Sequence, residues 1–425
     1  MSVNKVSEAK SVDELEVRLA IINSAVQQRL QRKVESVSSL GRDSNNYVHL
    51  VHLENAGEHH SNAEISPQAG TSPLDPSVTK IVIRISNPAA MLDDKVRVEN
   101  EVAAVALMRR ALATTPRTIV PKVYAWKPAG KGSGWIAQEY LEGKQLSAHT
   151  TKLPADKVTF VVDQVAELFA KIQRFDPQVA GFGGLRFDLN GEVVTGRSTL
   201  WSIGPFHKYS EMYHGIFVKQ TSSAATTPLL EGWKGTDLLE RLKNFSVSAV
   251  WKALLGKFDG FKPTLVHGDL SFDNILVDPE TLQITGLLDY DFSHIAAPAD
   301  EFVYSFMELG GLVPGPFEDE ALRSLRRFQL GQGEDDLLPE ETEDSPVNWT
   351  LAKAWNSALK KHGVNGPAEI ENIADLADIY WFLLDVCPPF FNMPKWLAKR
   401  TDKQKQAAKA RTEKILHKYI DRWTS

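Results

Sequence analysis

The spacing of apolar residues changes several times along the first third of the chain, and each change predicts a new element. In residues 11–30 the apolar positions recur every three or four residues, which is typical of a helix packed on one face. Ser11 followed by Glu14 fits a capping box that would begin this helix. Residues 47–53 and 80–86 instead alternate between apolar and polar side chains, so we expect a strand in each.

A second helix and two further strands are expected next. Residues 93–112 have helical spacing, and the apolar runs 119–127 and 134–143 have the composition of strands. The segment 54–78 is rich in Gly, Pro, Ser and Asn, which indicates a surface loop or a disordered insert. It contains the pair His59-His60, which we interpret as solvated histidines rather than a metal site because no further ligands accompany them.

Beyond residue 143 the pattern is mostly helical, with one strand-rich interruption at 264–294. The strongest amphipathic segments there are 159–175, 378–386 and 404–423. A β-rich first part followed by a helical second part predicts an α+β fold with two lobes. We place a small β-rich N-lobe at 1–141 and a larger, mostly helical C-lobe at 142–425.

Composition narrows the function classes. The 425 residues include 48 Lys and Arg against 54 Asp and Glu, a net charge of −6, so we expect neither nucleic acid nor a membrane as a partner. The single cysteine, Cys387, excludes an internal disulfide and is interpreted as a buried packing residue. The polar N-terminus does not look like a targeting peptide, so we expect a cytoplasmic protein. The oligomeric state is not predicted.

The negative charge is concentrated in residues 333–344, which contain seven carboxylates. This segment is either a solvated loop or an acidic rim that attracts a cationic substrate. The last 25 residues are basic with an interrupted apolar stripe, which favours a docked terminal helix over a membrane-surface helix.

The chemistry is expected in residues 264–294. A short strand leads into His267-Gly268-Asp269, Asn274 follows five residues after Asp269, and an apolar hairpin then ends at Asp289. The hairpin should bring Asn274 and Asp289 together, because they stand at its start and its end. Their side-chain oxygens suit Mg²⁺, which binds a few protein oxygens and otherwise keeps water or phosphate.

This spacing is similar to the catalytic loop of protein kinases, in which an Asp accepts the hydroxyl proton and an Asn and a second Asp hold the metals. His267 is interpreted as a structural residue, with a general base as the alternative. A metal-dependent hydrolase that uses His267 and Asp269 is a remote third interpretation, since further histidine ligands are lacking at suitable spacing.

The motifs HGDLSFDN (267–274) and GLLDYDFSHIAAPADEF (286–302) resemble the aminoglycoside phosphotransferase/choline kinase superfamily, and most closely its phosphotransferase-family proteins from filamentous fungi. Weaker similarity covers most of the chain. The segment 39–53 resembles the nucleotide-covering hairpin, and 181–188 resembles a turn of the C-lobe. The resemblance implies a protein-kinase-like fold, with ATP and Mg²⁺ as cofactors and a small-molecule acceptor.

The resemblance also implies roles for individual residues. Asp269 would orient the substrate hydroxyl, and Asn274 and Asp289 would hold Mg²⁺. Glu101 would pair with the third-strand cation, which is Arg84 here. The residues implied at the nucleotide are Glu139 and Leu141 against adenine and Ser44, Asn45 and Asn46 near the phosphates. Asp291 and Asp300 are candidates for the substrate pocket, with capping or loop-fixing roles as the alternative.

The sequence departs from the superfamily pattern at Arg84, where lysine is usual, and in a covering loop with one glycine. Arginine keeps the charge but has a wide planar fork, so the phosphate geometry must differ. Two alternatives stay open: Arg84 faces solvent, or Glu99 replaces Glu101 in the ion pair. We therefore predict an ATP- and Mg²⁺-dependent phosphotransferase acting on an aminoglycoside-, choline- or secondary-metabolite-like hydroxyl, with a pseudokinase scaffold as the alternative.

Overall fold

The structure is a computed structural model that describes residues 2–41, 44–55, 67–150, 154–332 and 345–425, without the side chains of residues 2–13, 149, 150 and 155. His59, His60 and the acidic segment 333–344 lie outside the described residues, so the expectations for them stay predictions.

The helices of the described chain are α1 (Ser2–Arg29), α2 (Arg97–Ala111), α3 (Ser147–Thr150), α4 (Ala155–Arg174), α5 (Tyr209–Thr226), α6 (Leu238–Val247), α7 (Ala249–Gly256), α8 (Glu301–Tyr304), α9 (Glu320–Gln329), α10 (Trp349–Lys361), α11 (Ile373–Val386), α12 (Pro394–Ala398) and α13 (Asp402–Thr424). The strands are β1 (Val34–Ser39), β2 (Asn46–Leu53), β3 (Lys80–Ser86), β4 (Val123–Lys127), β5 (Trp135–Glu139), β6 (Lys144–Gln145), β7 (Gly184–Phe187), β8 (Val193–Gly196), β9 (Thr264–Val266), β10 (Ile275–Val277), β11 (Ile284–Leu287) and β12 (His294–Ala296).

The chain divides into two compact units. The first comprises Met1–Leu146, Gly184–Ser202 and Asn274–Ser293, and the second comprises Ser147–Gly183, Ile203–Asp273 and His294–Ser425. The expected division after residue 141 treats each lobe as one continuous stretch, whereas both units are discontinuous in sequence.

The first unit contains a five-stranded antiparallel sheet in the order β1-β2-β3-β5-β4. Its last four strands in chain order lie in the segments predicted as strands. The first strand, β1, was not predicted, because its sequence VESVSS is two-thirds polar and most of its side chains are exposed. Within the described part of the chain it is an edge strand, which pairs with β2.

The alternation of β3 separates two faces of this sheet. Ile81, Ile83 and Ile85 pack in a core with α1, to which that helix contributes Ile22 and Val26. Because successive side chains of a strand point to opposite faces, Arg84 points away from this core. The sheet therefore directs a charged side chain toward its other face.

Two predictions about local structure were wrong. The first helix begins at Ser2, so Ser11 lies inside it and is not its N-cap. The preceding residues, VNKVSEAK, include the helix formers Lys, Glu and Ala, which extend the element upstream. Residues 184–187, expected as part of a C-lobe turn, form strand β7, which pairs with β8 within the first unit.

The second unit is mainly helical and has an aromatic core. Phe169, Phe306 and Trp355 contact one another with ring centroids 4.6–6.3 Å apart. A second group brings Phe217 within 5.0 Å of Trp251 and 5.3 Å of Phe382. With the sheet of the first unit, this helical unit confirms the predicted α+β class. No helix among the described residues is long and apolar enough to cross a membrane.

Candidate functional site

The apolar hairpin of the first unit has the predicted geometry. Strands β10 and β11 pair antiparallel, with Ile275 opposite Leu287. The next residue, Leu288, donates its N–H to the carbonyl oxygen of Asn274 at 2.8 Å. The expectation that Asn274 and Asp289 stand at the same end of this hairpin is therefore confirmed.

Arg84 is buried and contacts three carboxylates of the first unit. Its Nε lies 3.1 Å from Oε1 of Glu101, and its Nη2 lies 2.9 Å from Oδ1 of Asp289 and 3.6 Å from Oδ2 of Asp291. With 7% exposure, Arg84 does not face solvent. The planar fork allows one side chain to reach all three acids, which a single ammonium does less readily.

The register of α2 is also settled. Glu101 faces Arg84, whereas Glu99 accepts a hydrogen bond from the Phe187 N–H at 3.0 Å. Between them, Asn100 is fully buried; its Oδ1 accepts from the Leu185 N–H and its Nδ2 donates to the Ser293 carbonyl. Polar side chains of α2 thus hold β7 and the segment after β11 in place.

Arg84 and its three carboxylates form a largely buried cluster, and the pKa values within it are strongly shifted. Burial raises the pKa of Glu101 to about 8, against the opposing pull of Arg84 and with added repulsion from Asp291 and Asp289. Burial alone would lower the pKa of Arg84, but the surrounding carboxylates raise it above its usual value. Arg84 therefore stays a permanent cation in the cluster, and burial favours the protonated form of Glu101.

Asp289 is the most exposed acid of the cluster, with 28% of its side chain accessible, and it has a φ of 63°. This left-handed conformation is uncommon for a residue other than glycine and persists only where the surroundings hold it. The contact with Arg84 fixes one oxygen of its carboxylate. Asp289 thus combines a strained backbone with a carboxylate that stays partly accessible.

The donor set near the hairpin end fits Mg²⁺. Asp289 offers a carboxylate and Asn274 an amide oxygen, and Mg²⁺ commonly takes one or two such protein ligands together with phosphate and water. Among the described residues, no group of three or more His, Cys, Asp or Glu side chains is placed to hold a metal ion by itself. A metal at this position would thus rely on phosphate oxygens for the rest of its coordination.

Asp269 belongs to the second unit, where side chains hold the backbone of its loop. Glu301 accepts the N–H groups of His267 at 2.8 Å and Gly268 at 2.9 Å. The Asp269 N–H donates to Nδ1 of His267 at 3.3 Å, and the Leu270 N–H donates to Oγ of Ser305 at 2.8 Å. Four consecutive N–H groups are thereby fixed, and the Asp269 side chain remains partly exposed.

These bonds assign a structural role to His267, as interpreted from the sequence. Its Nδ1 accepts the N–H of Asp269, and its side chain is fully buried. For this loop, the sequence did not reveal the supporting residues Glu301 and Ser305. The only signal was the position of Glu301 inside the motif 286–302, which carried no indication of its partner.

Asp291 and Asp300, the candidate substrate residues, are fully buried and bonded within the protein. Asp291 accepts from Asn46 Nδ2 at 2.8 Å, and burial followed by repulsion from Asp289 raises its pKa. Asp300 accepts from the hydroxyls of Tyr209 and Tyr213 and from the Ala297 N–H. Such contacts agree with the alternative that these residues fix loops. We propose a substrate role for neither residue.

The residues expected at the nucleotide lie in the first unit. Ser44 is exposed, and its carbonyl accepts from Asn87 Nδ2 at 2.7 Å; the Asn45 carbonyl accepts from Arg97 at 2.7 Å. Glu139 exchanges backbone and side-chain hydrogen bonds with Lys122, and Leu141 is partly exposed. Their contacts with a nucleotide stay predictions.

Cys387 is buried, and the structure places it beside Thr227, with 3.5 Å between the sulfur and Oγ1. Burial raises the pKa of the thiol, which disfavours the reactive thiolate. These contacts agree with a packing residue.

The sequence model of the phosphotransferase enzyme family matches residues 74–337, which is more than half of the chain. An aminoglycoside 3'-phosphotransferase from Streptomyces ribosidificus is 27% identical over 170 residues, which cover 40% of this chain and 51% of that protein. The chain thus aligns with about half the length of this curated relative.

Solved structures of aminoglycoside phosphotransferases are more distant. A ternary complex of a thermostable mutant of APH(4)-Ia with ADP and hygromycin B has 12% identity and a TM-score of 0.46, covering 94% of this chain and 98% of that one. The gentamicin complex of APH(2")-IIa has 12% identity and a TM-score of 0.47, covering 93% and 98%. At these values they add nothing to the match with the family.

Proposed function

This chain belongs to the phosphotransferase enzyme family, and we propose that it transfers the γ-phosphoryl group of ATP, with Mg²⁺, to a hydroxyl of a small molecule. The observation that carries the proposal is the contact of Arg84 with both Glu101 of α2 and Asp289 after the hairpin. A strand cation, a helix acid and a loop acid joined in this way are the parts that phosphoryl transfer requires for positioning charge.

Within the first unit, Arg84 supplies a fixed positive charge, and Asn274 and Asp289 are the residues that would hold the metal. Bound Mg²⁺·ATP would supply the transferable phosphoryl group and neutralise charge on its oxygens. Arg84 keeps its guanidinium oriented because Glu101 and Asp291 flank it. This residue is therefore suited to a phosphate, although it presents a wider group than lysine.

We assign orientation of the acceptor hydroxyl to Asp269. Its carboxylate is partly exposed, while the N–H groups of residues 267–270 are fixed by Glu301, His267 and Ser305. A carboxylate on an immobilised loop loses little freedom when it accepts a proton or a hydrogen bond, which favours general base catalysis. The other parts of the proposal do not depend on this assignment.

The alternative is a scaffold that binds nucleotide without transferring its phosphoryl group, and Arg84 in place of lysine motivates it. The presence of Asp269, Asn274 and Asp289 together favours the enzyme, since a scaffold has no chemical need for all three. Thermal unfolding with ATP in the presence and absence of Mg²⁺, followed by an assay of transfer, separates the two.

The proposal is tested by incubating the protein with ATP, Mg²⁺ and a panel of hydroxyl metabolites that spans aminoglycosides, amino alcohols and neutral secondary metabolites. Mass spectrometry should find a product heavier by one phosphoryl group. On that substrate, Asp269→Asn should reduce turnover about 10²- to 10⁴-fold, while Asp402→Asn, whose side chain is 95% exposed, should leave it unchanged. Full turnover in Asp269→Asn would contradict the proposed catalytic role.

A further inference from the structure

Arg97 is a buried cation that neither the sequence motifs nor the proposed reaction uses. It is the first residue of α2, and only 1% of it is exposed. A buried guanidinium is unfavourable unless ion pairs and hydrogen bonds compensate for the lost water. The groups that Arg97 contacts therefore indicate which parts of the structure it stabilises.

The guanidinium of Arg97 joins three segments of the first unit. Its Nη2 donates to the Asn45 carbonyl at 2.7 Å and to Oδ1 of Asn46 at 3.0 Å. The same nitrogen lies 3.4 Å from both carboxylate oxygens of Asp291, and Nη1 lies 3.3 Å from Asp94. The start of β2 and the segment after β11 thus meet at one side chain of α2.

Asn46 closes this arrangement into a ring. Its Nδ2 donates to Oδ2 of Asp291 at 2.8 Å, while its Oδ1 accepts from Arg97. Both amide positions are defined by these partners, since a flipped amide would face the guanidinium with its NH₂ group. Asn46 and Asp291 are 6% and 0% exposed, so water does not substitute for either bond.

The ring also determines how the charge of Arg84 is shared. Arg84 Nη2 lies 2.9 Å from Asp289 and 3.6 Å from Asp291, so the two acids compete for one nitrogen. Arg97 supplies a second cation to Asp291, which leaves Arg84 closer to Asp289. Without Arg97, Asp291 would be a buried acid with Arg84 as its nearest cation, and we would expect Arg84 to move toward it.

We infer that Arg97 is a positioning residue, which holds Asn45 and Asn46 at the start of β2 against Asp291 and thereby sets the place of Asp289 and of Arg84. The inference rests on the proposed function, because it assumes that Asp289 holds the metal of a bound nucleotide. Arg97 acts through its neighbours and need not touch the nucleotide. Its loss should weaken metal-dependent binding more than its effect on folding explains.

The test compares variants of the full chain for thermal stabilisation by ATP as Mg²⁺ is titrated. In Arg97→Met the Mg²⁺ concentration for half-maximal stabilisation should rise about 10-fold or more, as residues that orient metal ligands commonly show. Arg97→Lys keeps the charge but cannot make the same set of contacts, so its rise should be smaller. On an acceptor found by the metabolite screen, KM for ATP should rise in the same order.

The matched control is Val102→Ala, which shortens a fully buried side chain of the same helix that is not a member of the ring. It should lower the unfolding temperature and leave the Mg²⁺ midpoint unchanged. If Arg97→Met does not fold, Arg97→Lys and Asn46→Ala are compared with Val102→Ala in its place. Midpoints equal to that of Val102→Ala would show that Arg97 acts in folding alone and would overturn the inference.

The outcomes also separate this inference from the proposed function. If wild-type protein is not stabilised by ATP at any Mg²⁺ concentration, the proposed function fails and the inference fails with it. If wild-type protein shows Mg²⁺-dependent stabilisation while the Arg97 and Asn46 variants titrate like Val102→Ala, only the inference fails. A raised midpoint confined to the Arg97 and Asn46 variants supports both.

Discussion

Two groups of buried acids in this protein are stabilised in different ways. In the first unit, Glu101 and Asp291 lie against the guanidinium groups of Arg84 and Arg97. In the second unit, Glu301 and Asp300 are held by backbone N–H groups and hydroxyls. The first arrangement fixes the charges around Asp289, and the second fixes the backbone of the loop that carries Asp269.

The difference predicts which substitutions are costly. Removing a cation from the first group takes a charged partner from buried acids, whereas removing a charge from the second group takes an acceptor from neutral donors, which costs less. Substitutions at one buried cation, two buried acids and one exposed acid should therefore differ in their effect on folding stability, from a large loss to none.

Arg84→Met should lower the free energy of unfolding by about 3–5 kcal/mol, because Glu101 and Asp291 lose a buried partner. Denaturant unfolding at neutral pH measures this. Arg84→Lys, which keeps one positive charge, should lose less. A loss below about 1 kcal/mol in Arg84→Met would show that the cluster is not held by this ion pair.

Asp300→Asn should change the pH dependence of stability. Burial raises the pKa of Asp300 to about 7, so the folded state binds a proton that the unfolded state releases above its ordinary pKa of about 3.9. Wild-type stability should therefore fall with rising pH between these values, by up to about 1.4 kcal/mol per pH unit from this group. The variant should lack this contribution, and Asp402→Asn should retain it; parallel pH profiles of the wild type and Asp300→Asn would rule out the raised pKa.

Glu301→Gln should cost about 1–3 kcal/mol of folding stability, because its amide nitrogen cannot accept one of the two N–H groups that the carboxylate holds. With an acceptor that the wild type phosphorylates, Glu301→Gln should also lower kcat, because the loop of Asp269 loses one of its hydrogen-bond acceptors. Glu308→Gln, at an exposed position nearby in sequence, is the control. Equal stability of the two variants would mean that the loop does not need the carboxylate.

Glu320→Gln should have no measurable effect on the unfolding midpoint. Glu320 contacts Arg323 and Arg327 on the surface of α9, and these contacts lower the pKa of Glu320 to about 2. Exposed pairs of this kind contribute little, because solvent screens them. A loss comparable to that of Arg84→Met would contradict the distinction between buried and exposed acids.

Sequence periodicity predicted those elements whose burial follows a regular pattern. The alternation of β3 placed Arg84 opposite the isoleucines of the core, and the apolar hairpin placed Asn274 and Asp289 together. Strand β1 escaped notice because an exposed edge strand needs no apolar alternation. The spacing of apolar residues therefore predicts elements that are buried on one face, and it does not predict an exposed strand such as β1.

The partners of buried polar residues were beyond the sequence. Arg97 and Asp291 are 194 positions apart, and Glu301 contacts a residue 34 positions earlier. Arg97 has the spacing of an ordinary helix residue, and only the folded chain shows that its guanidinium is enclosed. For the same reason the sequence left two roles open for Asp291 and Asp300, since a motif does not reveal exposure.

The central proposal is that residues of the first unit bind the metal and the nucleotide and that Asp269 orients the acceptor hydroxyl. The direct measurement is thermal stabilisation by ATP and Mg²⁺ in the wild type, Asp289→Ala and Asp269→Asn, with phosphoryl transfer assayed on the same samples. We expect Mg²⁺-dependent stabilisation and transfer in the wild type, loss of the Mg²⁺ dependence in Asp289→Ala, and stabilisation without transfer in Asp269→Asn. Unchanged Mg²⁺ dependence in Asp289→Ala, together with full transfer in Asp269→Asn, would contradict the account.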